Sequence, residues 1–253
     1  MIWDQTVKTF RTNPPPNSEP SPAGSTITEL AYQTLHRDIV SGELKPEQPL
    51  RLEFLRDKYG FGPSPLREAL SRLQSEKLVS QFALRGFKVA PISIAEMSDI
   101  IETRIVIETE ALRRSIERGH DDWESSIVAT FHALRNIVQR RSADDASVNT
   151  APEIESRHRD FHLALINACG SPWLLHLAGQ LYTLSERYRR PLSGPGADWP
   201  ARDILGEHGA LMDAALARDA GKAVNLLADH YRLTGQSIER ALERRSTRKT
   251  ARG

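Results

Sequence analysis

The sequence has almost no cysteine: Cys169 stands alone among 253 residues. A single thiol excludes an intramolecular disulfide and suits a reducing compartment. Long apolar runs are missing too. No segment approaches the roughly 18 consecutive apolar residues of a membrane span, and the N-terminus has no basic stretch leading into an apolar one. Strong net charge is also absent, since 34 Lys and Arg against 33 Asp and Glu leave +1. Attraction to a polyanion must therefore come from local clustering. The expectation is a soluble, cytoplasmic protein with no membrane partner. Its length allows one large domain or two smaller ones.

What is present is helical periodicity. Residues 11–25, RTNPPPNSEPSPAGS, are rich in Pro and Ser and cannot bury enough surface to offset their ordering entropy, so residues 1–25 read as a disordered leader. From Thr26 the pattern changes: Ile27, Leu30, Ala31, Thr34, Leu35 and Ile39 recur at helical spacing, and Ser41-Gly42 ends the run. A loop, ELKPEQPL, leads to a short helix from Leu52 to Tyr59. After the turn Gly60-Phe61-Gly62-Pro63, Ser64 is placed to cap a third helix, with Pro65 at its first position. Leu66, Ala69, Leu70 and Leu73 form its buried stripe and leave Arg67, Ser71, Arg72 and Ser75 outside. Two β-type runs, LVSQFA and FKVAPI, flank Leu84-Arg85-Gly86 and predict a hairpin. Three helices and a hairpin make a winged helix-turn-helix over residues 26–92.

No strand pattern follows. Ser93 with Glu96 is a capping-box signature, and its helix should reach about Arg118. Amphipathic segments follow at 121–141, 153–169, 172–190, 201–217 and 220–245. Six helices with short connections predict an antiparallel bundle over residues 93–245. Residues 246–253 read as a solvated basic tail. The fold class is mainly α.

Between Arg51 and Lys88 there are eight basic residues (Arg51, Arg56, Lys58, Arg67, Arg72, Lys77, Arg85, Lys88) and four acidic ones (Glu53, Asp57, Glu68, Glu76). Placement says more than this modest excess. In a helix-turn-helix, the N-terminal part of the second helix of the motif meets base edges in the major groove. Arg67 lies there, and arginine matches guanine's two acceptors. Arg85 lies at the hairpin tip, suited to the narrow, negative minor groove. For a lone arginine, a surface ion pair would be the better reading; turn, cap and wing in register favour DNA.

In the helical half, His158 and His162 are four residues apart and project from one face. His208 shares a stripe with Leu205 and Met212, and His230 one with Leu226 and Leu227. Four inward imidazoles from three helices could hold a divalent transition metal, although such a histidine pair is more often structural. Arg104 sits among Ile100, Ile101 and Ile105, where a buried charge needs a partner. Glu108 is the bland partner. Arg187, Tyr188 and Arg189 are further pocket candidates, or a solvated helix end.

"SPLREALSRLQSEKLV" followed by "RGFKVAPIS" resembles the DNA-binding domain of GntR-type bacterial transcription regulators, and the helical remainder resembles the effector domain of their FadR-like branch. The resemblance implies a homodimer on a near-palindromic operator in double-stranded DNA. It makes Ser64, Arg67, Ser71 and Arg72 the contact face, and Arg85 with Gly86 the wing tip. The family often has a second arginine where this chain has Pro63. The resemblance also implies a small organic-acid effector, met by Arg104. Metal-binding members carry Asp-x-x-Phe-His and two later histidines. "HRDFH" supplies His162, with His158 in the aspartate's place, while His208 and His230 match the others. Zinc or nickel would be the ion. The reading is a ligand-responsive repressor of catabolic genes and not an enzyme. The alternatives are a metal-dependent hydrolase using the four histidines, or a regulator that senses the metal itself.

Overall fold

The structure, a computed structural model, describes residues 26–82, 86–143, 151–192 and 202–250. The expectations for the leader, for Arg85 and for residues 251–253 lie outside these. Three helices open the chain: α1 (Ile27–Val40), α2 (Leu52–Tyr59) and α3 (Pro63–Ser75). Thr26 caps α1 by accepting from Glu29 N at 3.1 Å, and Gly60 ends α2 with φ 75°, a conformation that favours glycine. Ala31, Leu35, Leu55, Leu66, Leu70 and Leu73 interlock as one core.

Helix α3 begins two residues earlier than its sequence suggests. Gly62 is the N-cap and Pro63 the first helical residue. Ser64 therefore does not cap the helix; its hydroxyl donates to Glu68 at 3.4 Å. Gly62 has no side chain to cap with, but a side-chain cap serves the backbone donors of the second and third helical residues, and with Pro65 third one of those donors does not exist.

Strands β1 (Val79–Phe82) and β2 (Gly86–Val89) pair antiparallel, with Val79 opposite Val89. The loop before α2 adds an edge the sequence did not announce: Pro49 bridges Lys88, and Leu50 N donates to Phe87 O at 2.8 Å.

Six further helices follow among the described residues: α4 (Ile94–Arg118), α5 (Asp121–Ala143), α6 (Ala151–Ile166), α7 (Pro172–Arg189), α8 (Ile204–Leu216) and α9 (Ala220–Thr250). Ser93 accepts from Glu96 N at 3.2 Å and starts α4. Glu96 does not complete the capping box; it accepts from the Tyr188 hydroxyl at 2.6 Å. Helix α4 is the spine of the bundle, packing on α9, α7 and α6. A second core forms around Ile101, Leu112, Phe131, Phe161, Leu165 and Leu227. Helix α9 does not stop at 245. It continues through Thr250, since Ser246 to Thr250 contain neither Pro nor Gly.

Candidate functional site

The outer face of α3 carries the first site. Leu66, Ala69, Leu70 and Leu73 are buried, which turns Arg67 and Ser71 to solvent one turn apart. Arg67 makes no hydrogen bond or ion pair among the described residues. Arg72 is differently placed: it pairs with Glu29 at 2.9 Å and Glu76 at 3.4 Å, with its guanidinium 3.5 Å from the centre of the Tyr32 ring. It therefore braces α3 against α1. Ser64 is exposed, and Gly86 opens β2 beside the hairpin tip.

The second site is a chamber inside the bundle. His158 and His162 enter from α6, His208 from α8 and His230 from α9, all buried. One ligand atom from each lies within 4.8 Å of every other. His162 Nε2 stands 3.2 Å from both His158 Nε2 and His208 Nε2. A zinc ion with nitrogen at about 2.0–2.1 Å in tetrahedral geometry would space its ligands at about 3.4 Å.

The opposite side of each ring is anchored. His208 Nδ1 meets the Ile204 carbonyl at 2.5 Å, and His230 Nδ1 meets the Glu207 carboxylate at 2.8 Å. Both partners only accept, so both nitrogens carry the proton. His162 Nδ1 lies 3.1 Å from the Tyr231 oxygen. The hydroxyl proton of Tyr231 goes to Glu108 at 2.5 Å, so this imidazole also donates outward. Three Nε2 lone pairs therefore face inward. Between His162 and His208, at 3.2 Å, neither nitrogen has a proton to offer the other. A cation between them resolves that contact, and outward donation of this kind is how ligating histidines are oriented. His158 Nδ1 has the Tyr182 hydroxyl at 3.0 Å, which permits either tautomer.

Electrostatics agree with this arrangement. Burial lowers the pKa of all four histidines, His208 to about 3, and the neighbouring rings and arginines add to the effect at His158 and His162. They are neutral, the form that binds metal. Burial tends to raise Glu207, but hydrogen bonds from His230 and Arg202 outweigh it and bring its carboxyl to about 2. The donor set fits a borderline divalent ion such as zinc or nickel.

Arg104 is 1% exposed, beside this chamber. It donates to Glu108 at 2.7 Å and to Ser185 at 2.8 Å, and lies 4.1 Å from the Tyr231 ring centre. The internal partner foreseen in the sequence is therefore present. The three candidates at the end of α7 separate. Arg189 reaches the chamber wall, bound to Glu155 at 2.6 Å and to the Tyr182 hydroxyl at 3.2 Å. Arg187 and Tyr188 turn away to the junction between the two halves. Arg187 donates to the carbonyls of Ala90 and Pro91, and Tyr188 donates to Glu96. Asp160 is exposed, 4.0 Å from Arg157, and takes no part. Sequence reasoning missed the ring-orienting groups Tyr182, Glu207 and Tyr231. Glu207 and Tyr231 each adjoin a site histidine in the chain, a weak signal in hindsight.

A winged helix-turn-helix joined to a helical bundle with a polar interior chamber defines a ligand-responsive, DNA-binding transcription regulator. Residues 27–89 match the gntR family of bacterial regulatory proteins, and residues 99–233 match the FCD domain. The chain belongs to the GntR family, in its FCD-containing branch. It is 41% identical over 204 residues to the uncharacterized HTH-type transcriptional regulator BphR of Paraburkholderia xenovorans, covering 81% of this chain and 82% of that one. It is 35% identical to the HTH-type transcriptional repressor GlaR of Escherichia coli, covering 86% and 98%. The solved structure of E. coli McbR/YncC shares the fold with a TM-score of 0.69 at 20% identity, covering 87% of this chain and 99% of that one. The family and these relatives are regulators, not enzymes, and the hydrolase reading falls. Among the described residues no helix is long and apolar enough to cross a membrane.

The exposed Arg67, unpaired among the described residues, leads to a specific expectation. Arg67→Ala should cost about 1–3 kcal/mol on the specific operator and little on random DNA. Gel-shift titrations on both would show it; equal loss on both would reduce Arg67 to a phosphate contact.

Proposed function

We propose that this protein is a dimeric repressor of catabolic genes, acting in the cytoplasm on a near-palindromic operator and released or tightened by a small carboxylic acid. The observation that carries the reading is the chamber, where inward Nε2 lone pairs converge beside the buried Arg104. His158, His162, His208 and His230 would hold a divalent ion, zinc or nickel. Tetrahedral zinc on all four imidazoles would be closed, whereas an ion of higher coordination number, such as nickel, would leave positions for a carboxylate oxygen. Arg104 and Arg189 supply the second anchor, although each already holds a carboxylate, Glu108 and Glu155 respectively. An acid entering the chamber must share or displace one of these pairs. A dicarboxylate related to glutarate, which can engage both ends of the chamber, is the effector we favour.

DNA contact is assigned to Arg67 and Ser71, with Ser64 at the start of the helix and Arg85 and Gly86 at the wing. Arg72, half exposed beside them and paired with Glu29 and Glu76, holds this face in place and remains within the proposed contact surface. Two copies are needed because one helix-turn-helix offers too few base contacts for tight specific binding. Light scattering should give a dimer at micromolar concentration, and footprinting a protected near-palindrome. A monomer with an asymmetric footprint would remove this reading. Calorimetry with glutarate on metal-loaded protein tests the effector. A regulator that senses the metal alone would instead change its operator affinity on metal titration and ignore the acid.

A further inference from the structure

A cleft between the two halves is used neither by the DNA face nor by the histidine chamber. Its volume is about 680 Å³, within the roughly 300–1,000 Å³ of small-molecule sites. One wall comes from α1 and the end of α3, with Tyr32, His36, Glu76 and Lys77. The other comes from α4, α6 and α7, with Ile107, Arg159, Leu181 and Leu184. Leu184 packs against both hydrophobic cores, so the cleft lies where the halves meet.

Its charges are unbalanced. Arg159 is half-buried and has no direct ion pair among the described residues; it lies 5.4 Å from the Tyr182 ring centre, and Glu186 interacts with it only at longer range. Lys77 is exposed and equally without an ion pair among them. It also holds a left-handed backbone, φ 60°, which is strained for a non-glycine residue. The acid in the lining, Glu76, is already engaged. It accepts from the Tyr32 hydroxyl at 2.9 Å and pairs with Arg72 at 3.4 Å. Burial chiefly, and then the nearby cations Arg159, Arg72 and Arg190, push the pKa of His36 down to about 4. Two cations without a direct ion pair among the described residues thus stand over a wall of leucine and isoleucine.

We propose that this cleft is a second ligand site, taking an apolar monocarboxylate whose charged end meets Arg159 and Lys77 and whose body lies on Ile107, Leu181 and Leu184. Lys77 follows the C-terminal end of α3, so an occupant touches the DNA-reading helix and α7 at once. It fixes the angle between the two halves and thereby the placement of Arg67 in the groove. Linkage requires that DNA binding change the affinity for the acid by the same factor.

Gly179 provides a clean test. It lines the cleft, and a Cβ built there meets nothing within 4 Å. Gly179→Leu therefore starts its side chain into open space at the cleft wall and removes a glycine from a helix interior, a change that favours the helix. Calorimetry on the full chain should show octanoate or 2-naphthoate binding. Arg159→Gln should weaken it at least tenfold and Gly179→Leu should abolish it, while both variants keep the wild-type melting temperature or exceed it. Octanamide, with the same chain and no charge, should bind at least tenfold more weakly than octanoate. Saturating glutarate should change octanoate affinity by no more than a factor that levels off, because two ligands biasing one arrangement are linked without excluding each other. The proposal fails if neither acid binds, if Gly179→Leu or Arg159→Gln binds them as wild type does, or if octanamide equals octanoate. Displacement by glutarate would place both acids in the histidine chamber, overturning the cleft site while leaving the proposed function standing.

Discussion

Arg104→Met is expected to destabilise the native chain by about 3–5 kcal/mol, the cost of stranding one partner of a buried ion pair. Arg104 and Glu108 are 1% and 2% exposed, so water cannot replace the lost guanidinium. Glu108 would retain only the Tyr231 hydroxyl as a donor, and Ser185 would lose the guanidinium it meets at 2.8 Å. Urea unfolding monitored by circular dichroism measures the effect. In a chain of this size each kcal/mol moves the melting point by about 2–4 °C, so a fall near 10 °C is expected. Arg104→Met combined with Glu108→Leu should recover a good part of the loss, because an apolar pair of similar volume removes the stranded charge. A single variant as stable as wild type would contradict the buried-pair account. The double variant also separates two roles. If it folds and no longer binds glutarate, Arg104 serves the effector as well as the fold.

Removing one histidine should have the second large effect. Purified wild-type protein is expected to carry roughly one divalent ion per chain, and His208→Ala or His230→Ala none. Metal binding is linked to folding, so the ion should raise the melting temperature of wild type and leave the alanine variants unmoved. Elemental analysis with thermal melts, before and after chelation, checks both. An empty wild type that chelators do not affect would reduce the four residues to core histidines.

The acid limb has a definite sign. In the metal-free protein the folded histidines have pKa values below their ordinary 6.5. As pH falls through 6.5 the unfolded chain therefore takes up protons that the folded chain refuses, and stability is lost with acid. Bound metal should move that loss to lower pH until protons displace it from the imidazoles.

Much of the architecture follows from local rules that act within a few residues. The stripe of Leu66, Ala69, Leu70 and Leu73 fixed which side of α3 is buried and hence that Arg67 faces out. The Ser93 cap fixed where α4 begins, and the missing strand pattern after it fixed an all-helical second half. The resemblance of "SPLREALS" and "RGFKVAPIS" was specific enough to name the family. The spacing of His158 and His162 placed them on one helix face for the same reason.

Other features were settled only by packing. Whether His208 and His230 meet that pair depends on how α8 and α9 cross α6, which no local pattern encodes. The proton positions on the rings depend on Tyr231, Ile204 and Glu207, brought close by those crossings. Arg187 and Arg189, two residues apart, look alike in "ERYRR", yet about half a turn of helix between them sends one to the carbonyls of Ala90 and Pro91 and the other to Glu155 at the chamber wall. Arg72 reads as a DNA contact in the sequence, and only the packing of α1 on α3 gives it Glu29 and Tyr32 as neighbours. Periodicity acts along the chain and determines faces; contacts between distant segments determine which charged side chains find partners, and those remained for the tertiary structure to decide.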